Sequence, residues 1–241
     1  MSGLRRALAI LGEVSQSDVP PSIAELALRI GIPRPTAHRV VQTLIAEGYL
    51  TQDSQSNRIS VGFSVLPLSA SLLDHNRLRL AALPHLESLA KLTADRTNLG
   101  ILHHNQVLYL AGVEKPSLPA IYTRFGKSAP AHCCSLGKAI LAHLPEAEVQ
   151  ALLAAQPLRS FTPRSITSVL RFMEELEATR CRGYATDCEE HMPDSCCIAT
   201  AIFDGQNRVM GAIGISGRVL EPLLDHVTEL QRTAAVISHV I

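Results

Sequence analysis

The stretch that most limits the possible fold is residues 31–50, which read GIPRPTAHRVVQTLIAEGYL. Pro35 fits the first turn of a helix, where a backbone N–H has no partner within the helix. Behind it, apolar side chains recur at helical spacing at Val40, Val41, Leu44 and Ile45. Gly48 ends the segment. The pattern predicts an amphipathic helix with a polar front, because the threonines, the histidine and Arg39 fall opposite the apolar stripe.

Two shorter helices are predicted before this one. The first carries a stripe of Leu4, Ala7, Leu8 and Leu11 and ends before Pro20 and Pro21. The second carries Ile23, Leu26, Ala27 and Ile30. Ser22 and Glu25 form a capping-box pattern at the start of the second helix, and Gly31 ends it. Two helices joined by a tight turn, the second with an exposed polar face, are typical of a helix-turn-helix.

The residues that follow predict a wing and a linker. Residues 49–52 and 58–61 are two short β-rich runs around a turn-forming segment, residues 53–57. A helix-turn-helix followed by such a ribbon is a winged helix. Residues 63–75 then predict a mostly apolar linker helix interrupted at Pro67.

The remaining sequence mixes strands and helices. A second helix is expected over about residues 76–92, kinked at Pro84. Two β-rich pairs and one helix follow: residues 98–114, residues 196–216 and the helix that begins at Ser135. Residues 221–241 predict one closing amphipathic helix. This pattern predicts an α+β domain with an antiparallel sheet.

Composition limits the class of protein further. The 22 basic and 22 acidic residues balance, so any attraction to nucleic acid must be local. Residues 1–62 hold six arginines against five acidic residues, and Arg34, His38 and Arg39 crowd into the opening turns of one helix.

No run of about 18 apolar residues suggests a membrane span, so we expect a soluble, cytoplasmic protein. The six cysteines do not form a secreted disulfide framework, and reduced thiols are expected.

Several motifs, in order, resemble the IclR family of bacterial transcriptional regulators over essentially the whole chain. They are the stretch at residues 31–50, SLGKAILA from Ser135, GYATDCEEH from Gly183, CIATAIFD from Cys197 and AIGISG from Ala212. The resemblance implies a winged helix-turn-helix over residues 1–62, a linker helix with dimer contacts over residues 63–76, and a GAF-like effector-binding domain over residues 77–241. It also implies a regulator, commonly a repressor, of genes for using organic or aromatic acids.

The same resemblance nominates site residues. The implied DNA-binding residues are Arg34, Pro35, Thr36, His38, Arg39, Thr43 and, at the wing, Arg58. The implied effector-binding residues are Ser135, Leu136, Asp187, Cys197 and Ser216. Two positions depart from the family pattern: Pro35 and Gly214 stand where members often carry serine, which removes a hydroxyl from each site. Operator DNA, a small carboxylate effector and a homodimer or tetramer are the expected partners, with no cofactor and no membrane.

Physical chemistry gives these residues roles. Arg39 is able to hold a guanine edge or a phosphate, and Thr36 a thymine methyl or a phosphate. The N–H groups at the start of the Ser135 helix suit a ligand carboxylate. The structural alternatives are a solvated charge at Arg39, a capping role for His38 or Ser135, and a small buried hydrophobe at Cys197.

Two rival interpretations follow from the cysteines, histidines and acids. A metal- or redox-responsive pocket is suggested by the thiols and imidazoles between His132 and Cys197, although no C-x₂-C pair occurs. An enzyme is not supported. HCCSLGKA lacks the first glycine and the Ser/Thr of a phosphate loop, and GISGR ends in Arg218 where a nucleophile elbow needs glycine. Glu189 and Glu190 are expected in a solvated loop.

Overall fold

The structure is a computed structural model that describes residues 2–93, 96–114 and 126–241. Its contacts divide the chain into two compact units, Met1–His75 and Asn76–Ile241. No helix among the described residues is both long enough and apolar enough to span a bilayer.

The first unit contains four helices and a two-stranded ribbon among its described residues. In chain order they are α1 (Gly3–Gln16), α2 (Ile23–Ile30), α3 (Arg34–Ala46), β1 (Leu50–Gln52), β2 (Ile59–Val61) and α4 (Val65–His75). The strands β1 and β2 pair antiparallel, with Thr51 opposite Ser60. The predicted helix-turn-helix and wing are confirmed, each boundary lying within about two residues of its expected place.

Local chemistry explains the turn between α2 and α3. The Ser22 hydroxyl accepts the Glu25 N–H at 3.3 Å, and the Glu25 carboxylate accepts the Ser22 N–H at 2.6 Å, which completes the predicted capping box. Gly31 ends α2 with φ 71°, a left-handed conformation that residues with a Cβ seldom adopt. The core behind these helices consists of Ile10, Val14, Leu26, Val41, Leu44, Leu50 and Ile59.

Three details of the predicted helices are wrong. Leu4 and Leu8 are 72% and 59% exposed, because α1 buries the face that carries Ile10 and Val14. Pro67 does not interrupt the linker helix, since it lies in the first turn of α4, where proline is tolerated. The closing helix is two helices, α9 (Leu220–Leu224) and α10 (Val227–Val240).

The described part of the second unit is a six-stranded antiparallel sheet with helices on both faces. Its other elements are α5 (Arg77–Thr93), β3 (Arg96–His103), β4 (Gln106–Val113), β5 (Ser128–Pro130), α6 (Ser135–Leu141), α7 (Glu146–Ala155), α8 (Val169–Arg182), β6 (Ala185–Cys188), β7 (Cys196–Phe203) and β8 (Val209–Gly217). The strand order is β5-β4-β3-β8-β7-β6. This confirms the predicted α+β class, and α5 continues through Pro84 as one helix.

Alternate residues of the central strands face different helices. Ile198, Ile213 and Ile215 are fully buried on the face that packs against α5 and α10. Ala185, Ala199 and Ala212 lie on the other face, which packs against α6 and α8. The second face therefore has a floor of small side chains beneath α6, and this floor carries the candidate effector residues.

One disulfide contradicts the expectation that all thiols are reduced. Cys188 and Cys196 lie opposite each other where β6 pairs with β7, with Cα atoms 4.1 Å apart, and they are bonded. Their separation of eight residues puts them at matching positions of two strands joined by a short loop. Sequence spacing did not reveal this, because the register of the two strands was not predicted. The free cysteines are Cys133, Cys134, Cys181 and Cys197.

Candidate functional site

The polar front of α3 is exposed as expected for a DNA-reading helix. Arg34, Pro35, His38, Arg39 and Thr43 are exposed, while Ala37 is fully buried one turn away. Thr36 is half-buried, with its N–H donated to the Pro33 carbonyl at 2.9 Å. Pro35, Arg39 and Thr43 recur every four residues, which puts them on one side of α3, opposite the buried stripe.

The start of α3 lacks a side-chain cap. Pro33 is the N-cap residue and Pro35 lies in the first turn, so neither contributes an N–H or a side-chain oxygen. Thr43 donates its hydroxyl to the Arg39 carbonyl at 3.0 Å. Pro35 has no N–H and the Thr36 N–H already donates to the Pro33 carbonyl, so the first-turn donor left to suit a phosphate oxygen is the Arg34 N–H.

Arg58 is held by the protein more firmly than the other candidate DNA-binding residues. Its Nη1 atom donates to Glu25 Oε2 at 2.7 Å and to the Pro20 carbonyl at 3.1 Å. The Ile59 N–H also donates to the Pro21 carbonyl at 2.8 Å. The base of the wing is therefore fastened to the loop before α2 and to the capping-box carboxylate.

In the second unit, three of the five predicted effector residues form a line across the sheet. Asp187 on β6 opposes Cys197 on β7, and Cys197 opposes Ser216 on β8. Ser216 in turn opposes Arg96 on β3. Directly opposed residues of antiparallel strands point to the same face, so these four side chains form one row. We call Asp187, Cys197, Ser216 and Arg96 the polar row.

The remaining two predicted effector residues lie at the start of α6, on the same face of the sheet. Ser135 and Leu136 are 2% and 4% exposed. The N-cap of α6 is Cys134, so Ser135 is the first helical residue and not the cap. A Cβ on Gly214 would lie 3.3 Å from a Leu136 methyl and 2.7 Å from the Ile198 carbonyl. A residue with a Cβ at position 214 would therefore force its neighbours to move.

Hydrogen bonds link the middle of the polar row. The Ser216 hydroxyl oxygen accepts from Cys197 Sγ at 3.2 Å and from Asn98 Nδ2 at 3.2 Å. Both neighbours donate to Ser216, so its own proton remains to be donated to another group. Asn98, which the sequence did not nominate, is 3% exposed and belongs to this cluster.

Burial controls the protonation of these side chains. It raises the pKa of Asp187 to about 7, against an opposing effect of the Glu190 N–H, which donates to the carboxylate at 3.0 Å. Burial likewise raises the pKa of Cys197 to about 12 and that of Tyr109 well above its usual value. The thiol and the phenol are therefore neutral, and Asp187 titrates near neutral pH. Tyr109 is a second residue that sequence reasoning missed.

A buried cluster of charged side chains lies next to Asp187. Lys138 on α6 is 1% exposed, and its Nζ atom lies 2.5 Å from Glu190 Oε1 and 3.8 Å from Glu175 Oε1. The same Nζ atom donates to the Thr186 carbonyl at 2.9 Å. Glu190 is 8% exposed, so the expectation that it lies in a solvated loop is wrong. Its partner Lys138 lies on α6, and the sequence around Glu190 does not reveal this pairing.

A separate cavity of about 410 Å³ lies beside the start of α8. Arg164, Arg171, Thr186 and Glu190 are among its lining residues, and none of the five predicted effector residues borders it. Thr186 alternates with Asp187 along β6, so their side chains point to opposite sides of this edge strand.

The side chains that prompted the metal interpretation have other roles in the structure. Phe161 lies between His132 and His191, with ring centroids 6.1 Å and 5.2 Å away. Burial raises the pKa of Cys133 to about 12, which disfavours the thiolate that a soft metal binds. Over residues 2–93, 96–114 and 126–241, no group of three or more His, Cys, Asp or Glu side chains is placed to hold a metal ion.

Comparison with known proteins gives matches over both halves of the chain. The sequence profile of the IclR helix-turn-helix domain matches residues 3–54, and the profile named bacterial transcriptional regulator IclR C-terminal matches residues 70–239. The glycerol operon regulatory protein of Streptomyces coelicolor is 33% identical over 91% of this chain and 85% of its own length. The HTH-type transcriptional repressor AllR of Escherichia coli K12 is 30% identical over 89% of this chain and 79% of its own.

A solved structure extends the likeness to the fold. The crystal structure of an IclR homolog from Microbacterium hydrocarbonoxydans, complexed with 4-hydroxybenzoate, aligns with a TM-score of 0.80 at 25% identity. The alignment covers 99% of this chain and 98% of that chain. The match therefore includes both the helix-turn-helix and the sheet that carries the polar row.

Proposed function

Because this chain belongs to the IclR family of bacterial transcriptional regulators, we propose that it represses catabolic genes and responds to a small organic or aromatic acid. The observation that carries the proposal is the exposed polar front of α3 on a buried, capped helix-turn-helix core. The name of the relative AllR, a repressor, supports repression as the mode of action. Both roles place the protein in the cytoplasm, with operator DNA and the effector as its partners.

In the proposed DNA complex, α3 enters the major groove. Arg39 contacts a base edge or a phosphate, and Thr36, His38 and Thr43 lie on the same face beside it. Arg34 and Pro35 at the helix start and Arg58 at the wing face the phosphate backbone. Phosphate contacts supply affinity and register, while base contacts supply the choice of sequence.

A homodimer or a tetramer fits this mode of binding, because helix-turn-helix dimers read two half-sites. The exposed apolar side chains of α4 support a dimer contact at this helix. Leu66, Leu68 and Leu72 are 62%, 59% and 57% exposed, and no residue of α4 is buried. A helix with this many exposed leucines gains stability when a partner covers it.

In the proposed effector complex, a small acid binds between α6 and the polar row. The first-turn N–H groups at Ser135 and Leu136 donate to the carboxylate, since they have no partner within the helix. Asp187, Cys197 and Ser216 hydrogen-bond the other polar end of the ligand. The 4-hydroxybenzoate in the homologous complex supports an aromatic acid among the compounds to test.

Acid binding controls DNA binding through differential affinity for two arrangements of the dimer. The acid binds more tightly to the arrangement in which the two α3 helices are poorly spaced for DNA. It therefore weakens operator binding, and DNA weakens acid binding by the same factor. No covalent step is required, and the family consists of regulators rather than enzymes.

Substitution of Arg39 tests the DNA-binding half of the proposal. We expect Arg39→Ala to lower affinity for the native operator by roughly 10- to 100-fold, because a bidentate arginine contact discriminates by about 1–3 kcal/mol. The melting temperature should not change, since Arg39 is exposed. The matched control is Arg232→Ala, which removes an exposed arginine from α10. Unchanged operator affinity in Arg39→Ala, measured by gel-shift titration, would refute the assignment.

A further inference from the structure

We propose that Asp187 meets the effector as a protonated carboxyl group, so that the site selects acids whose second end accepts a hydrogen bond and takes up a proton when it binds them. The inference rests on the proposed effector site and deepens it, because it names the class of acid and adds a dependence on pH. The first end of the acid is the carboxylate at the start of α6. The second end is the polar group that meets Asp187 and Ser216.

The side chain of Asp187 is buried with one of its two oxygens unpaired. Asp187 is 4% exposed. The Glu190 N–H donates to Oδ1 at 3.0 Å, and within the part of the chain that the structure describes this is the one hydrogen bond of the carboxyl group. No described residue forms an ion pair with Asp187. A carboxylate in this place loses its hydration without gaining a partner, so the neutral acid is favoured.

The cations near Asp187 are paired with other carboxylates. Lys138 on α6 lies against Glu190 and Glu175, and its charge favours the ionised form of Glu190. Arg182 on α8 donates to the Glu175 carboxylate at 2.7 Å. Burial therefore raises the pKa of Asp187 to about 7, with the charge of Glu190 adding to this effect and that of Lys138 opposing it.

Four further ionisable side chains around Asp187 are neutral. Burial raises the pKa of each of them, and they are Cys133 and Cys134 before α6, Cys197 on β7 and Tyr109 on β4. Arg96 is at the opposite end of the polar row, three strand spacings or roughly 14 Å from Asp187 between backbones. None of these groups competes with Asp187 for a proton near neutral pH.

A protonated Asp187 gives the polar row a second hydrogen-bond donor. Because Oδ1 accepts the Glu190 N–H, the proton lies on Oδ2. Ser216 accepts from Cys197 and from Asn98, so it also has its own proton to donate. The row then presents one O–H donor on each side of Cys197. A second carboxylate or a carbonyl on the ligand complements this arrangement, since its oxygens accept and do not donate.

The proton that Asp187 needs comes from the solvent. An acceptor on the ligand binds the protonated form, so the observed affinity is reduced by the fraction of free protein in that form. A pKa of about 7 makes that fraction about nine-tenths at pH 6 and about one-tenth at pH 8. Affinity should therefore fall roughly tenfold from pH 6 to pH 8, and binding at pH 8 should take up about 0.9 proton per ligand.

Matched acids and calorimetry test the inference. Succinate is compared with propionate, and terephthalate with benzoate, because the members of each pair differ by one carboxylate. The fifth acid, 4-hydroxybenzoate, has a hydroxyl at its second end. Titrations at pH 8 in HEPES and in Tris, which differ in ionisation enthalpy, count the protons taken up. At pH 6 at least one diacid should bind the wild type roughly tenfold more tightly than its monoacid, since the added bonds are charge-assisted.

Asp187→Asn is the decisive variant. The amide keeps an acceptor for the Glu190 N–H and supplies an N–H donor at every pH. The variant should therefore bind the diacid roughly tenfold more tightly than the wild type does at pH 8, without uptake of a proton. The matched control is Asp225→Asn, which removes an exposed carboxylate at the end of α9 and should behave as the wild type. Circular dichroism checks folding, and the proton count of the wild type decides the case if Asp187→Asn does not fold.

Each failure has a distinct meaning. If a diacid binds the wild type equally well at pH 6 and pH 8 with no proton uptake, Asp187 is not a protonated donor and the inference is wrong, while the acid effector stands. Uptake that persists in Asp187→Asn belongs to another group, which also overturns the inference. The same holds if monoacids or 4-hydroxybenzoate bind as tightly as the diacids at pH 6. If no acid binds the wild type at either pH, the proposed acid effector itself fails.

Discussion

The helix α3 and the polar row are assembled from very different lengths of chain. Six of the seven candidate DNA-binding residues lie within residues 34–43 of the single helix α3. The polar row draws one residue from each of four strands, between Arg96 and Ser216. A helical face is fixed by spacing along ten residues, whereas the row is fixed by the register of three strand pairs. Changes near α3 should therefore act locally, and changes in the row should act through burial and charge.

The largest expected effect tests whether the helix-turn-helix depends on its small core. Leu26 is fully buried on α2, while Leu28, two residues later, is 83% exposed. Leu26→Ala should lower the free energy of unfolding by roughly 2–5 kcal/mol, because it leaves a cavity. Leu28→Ala should change it by about 0.5 kcal/mol or less. Urea denaturation followed by circular dichroism measures both, and similar losses in the two variants would contradict the fold of this unit.

The next effect concerns the polar row and its acid. Because burial raises the pKa of Asp187 to about 7, the folded state keeps a proton that the unfolded state releases above its ordinary pKa of 3.8. Stability contributed by this group therefore falls as pH rises between roughly 4 and 7 and stays low above that. Asp187→Asn removes the dependence. The free energy of unfolding of the variant, relative to that of wild type, should therefore increase by on the order of 2–4 kcal/mol as pH rises from 5 to 8.

Urea denaturation at several pH values checks this expectation. Glu190 also has a pKa raised by burial, and it remains in both proteins, so the difference between them isolates Asp187. Parallel stability curves for wild type and Asp187→Asn would show that Asp187 ionises normally in the folded protein. The polar row would then carry a fixed negative charge, which disfavours an acid effector.

The smallest effect separates the wing from the reading helix. Arg58→Ala should weaken binding to specific and non-specific DNA alike by a few-fold and reduce the salt slope by about 1, as expected for one phosphate contact. Salt titrations of DNA binding measure this. Glu25→Gln is the control, since it keeps an acceptor for the Ser22 N–H but removes the ion pair with Arg58. Equal losses in both variants would mean that the wing position, and not the arginine charge, matters.

The contrast also explains what could be predicted from sequence. Capping residues, helical spacing and turn residues identified α2, α3 and the wing, because each signal is contained in fewer than about 20 residues. The hairpin turn between β3 and β4 is equally local, and His104 and Asn105 adopt positive φ angles there. Leu4 and Leu8 were misplaced because α1 has apolar residues on two sides, and the sequence does not say which side is buried.

The effector site was only partly predictable. The motifs of a known family nominated Ser135, Leu136, Asp187, Cys197 and Ser216, and the structure brings them to one face of the sheet. Arg96, Asn98 and Tyr109 were missed because strand register, and not spacing, places them there. The disulfide between Cys188 and Cys196 and the buried pair of Lys138 and Glu190 were missed for the same reason.

The central claim is that α3 reads operator DNA and that an acid bound at the polar row controls this reading. The most direct test is a fluorescence-anisotropy titration of the purified protein with DNA from its own promoter region, beside Ser135→Trp. Each titration is run with and without benzoate, 4-hydroxybenzoate, propionate and succinate. We expect promoter DNA to bind roughly 1,000-fold or more tightly than scrambled DNA. At least one acid should change that affinity by roughly fivefold or more in the wild type and not in Ser135→Trp. Equal affinity for promoter and scrambled DNA, with no response to any acid, would contradict the account.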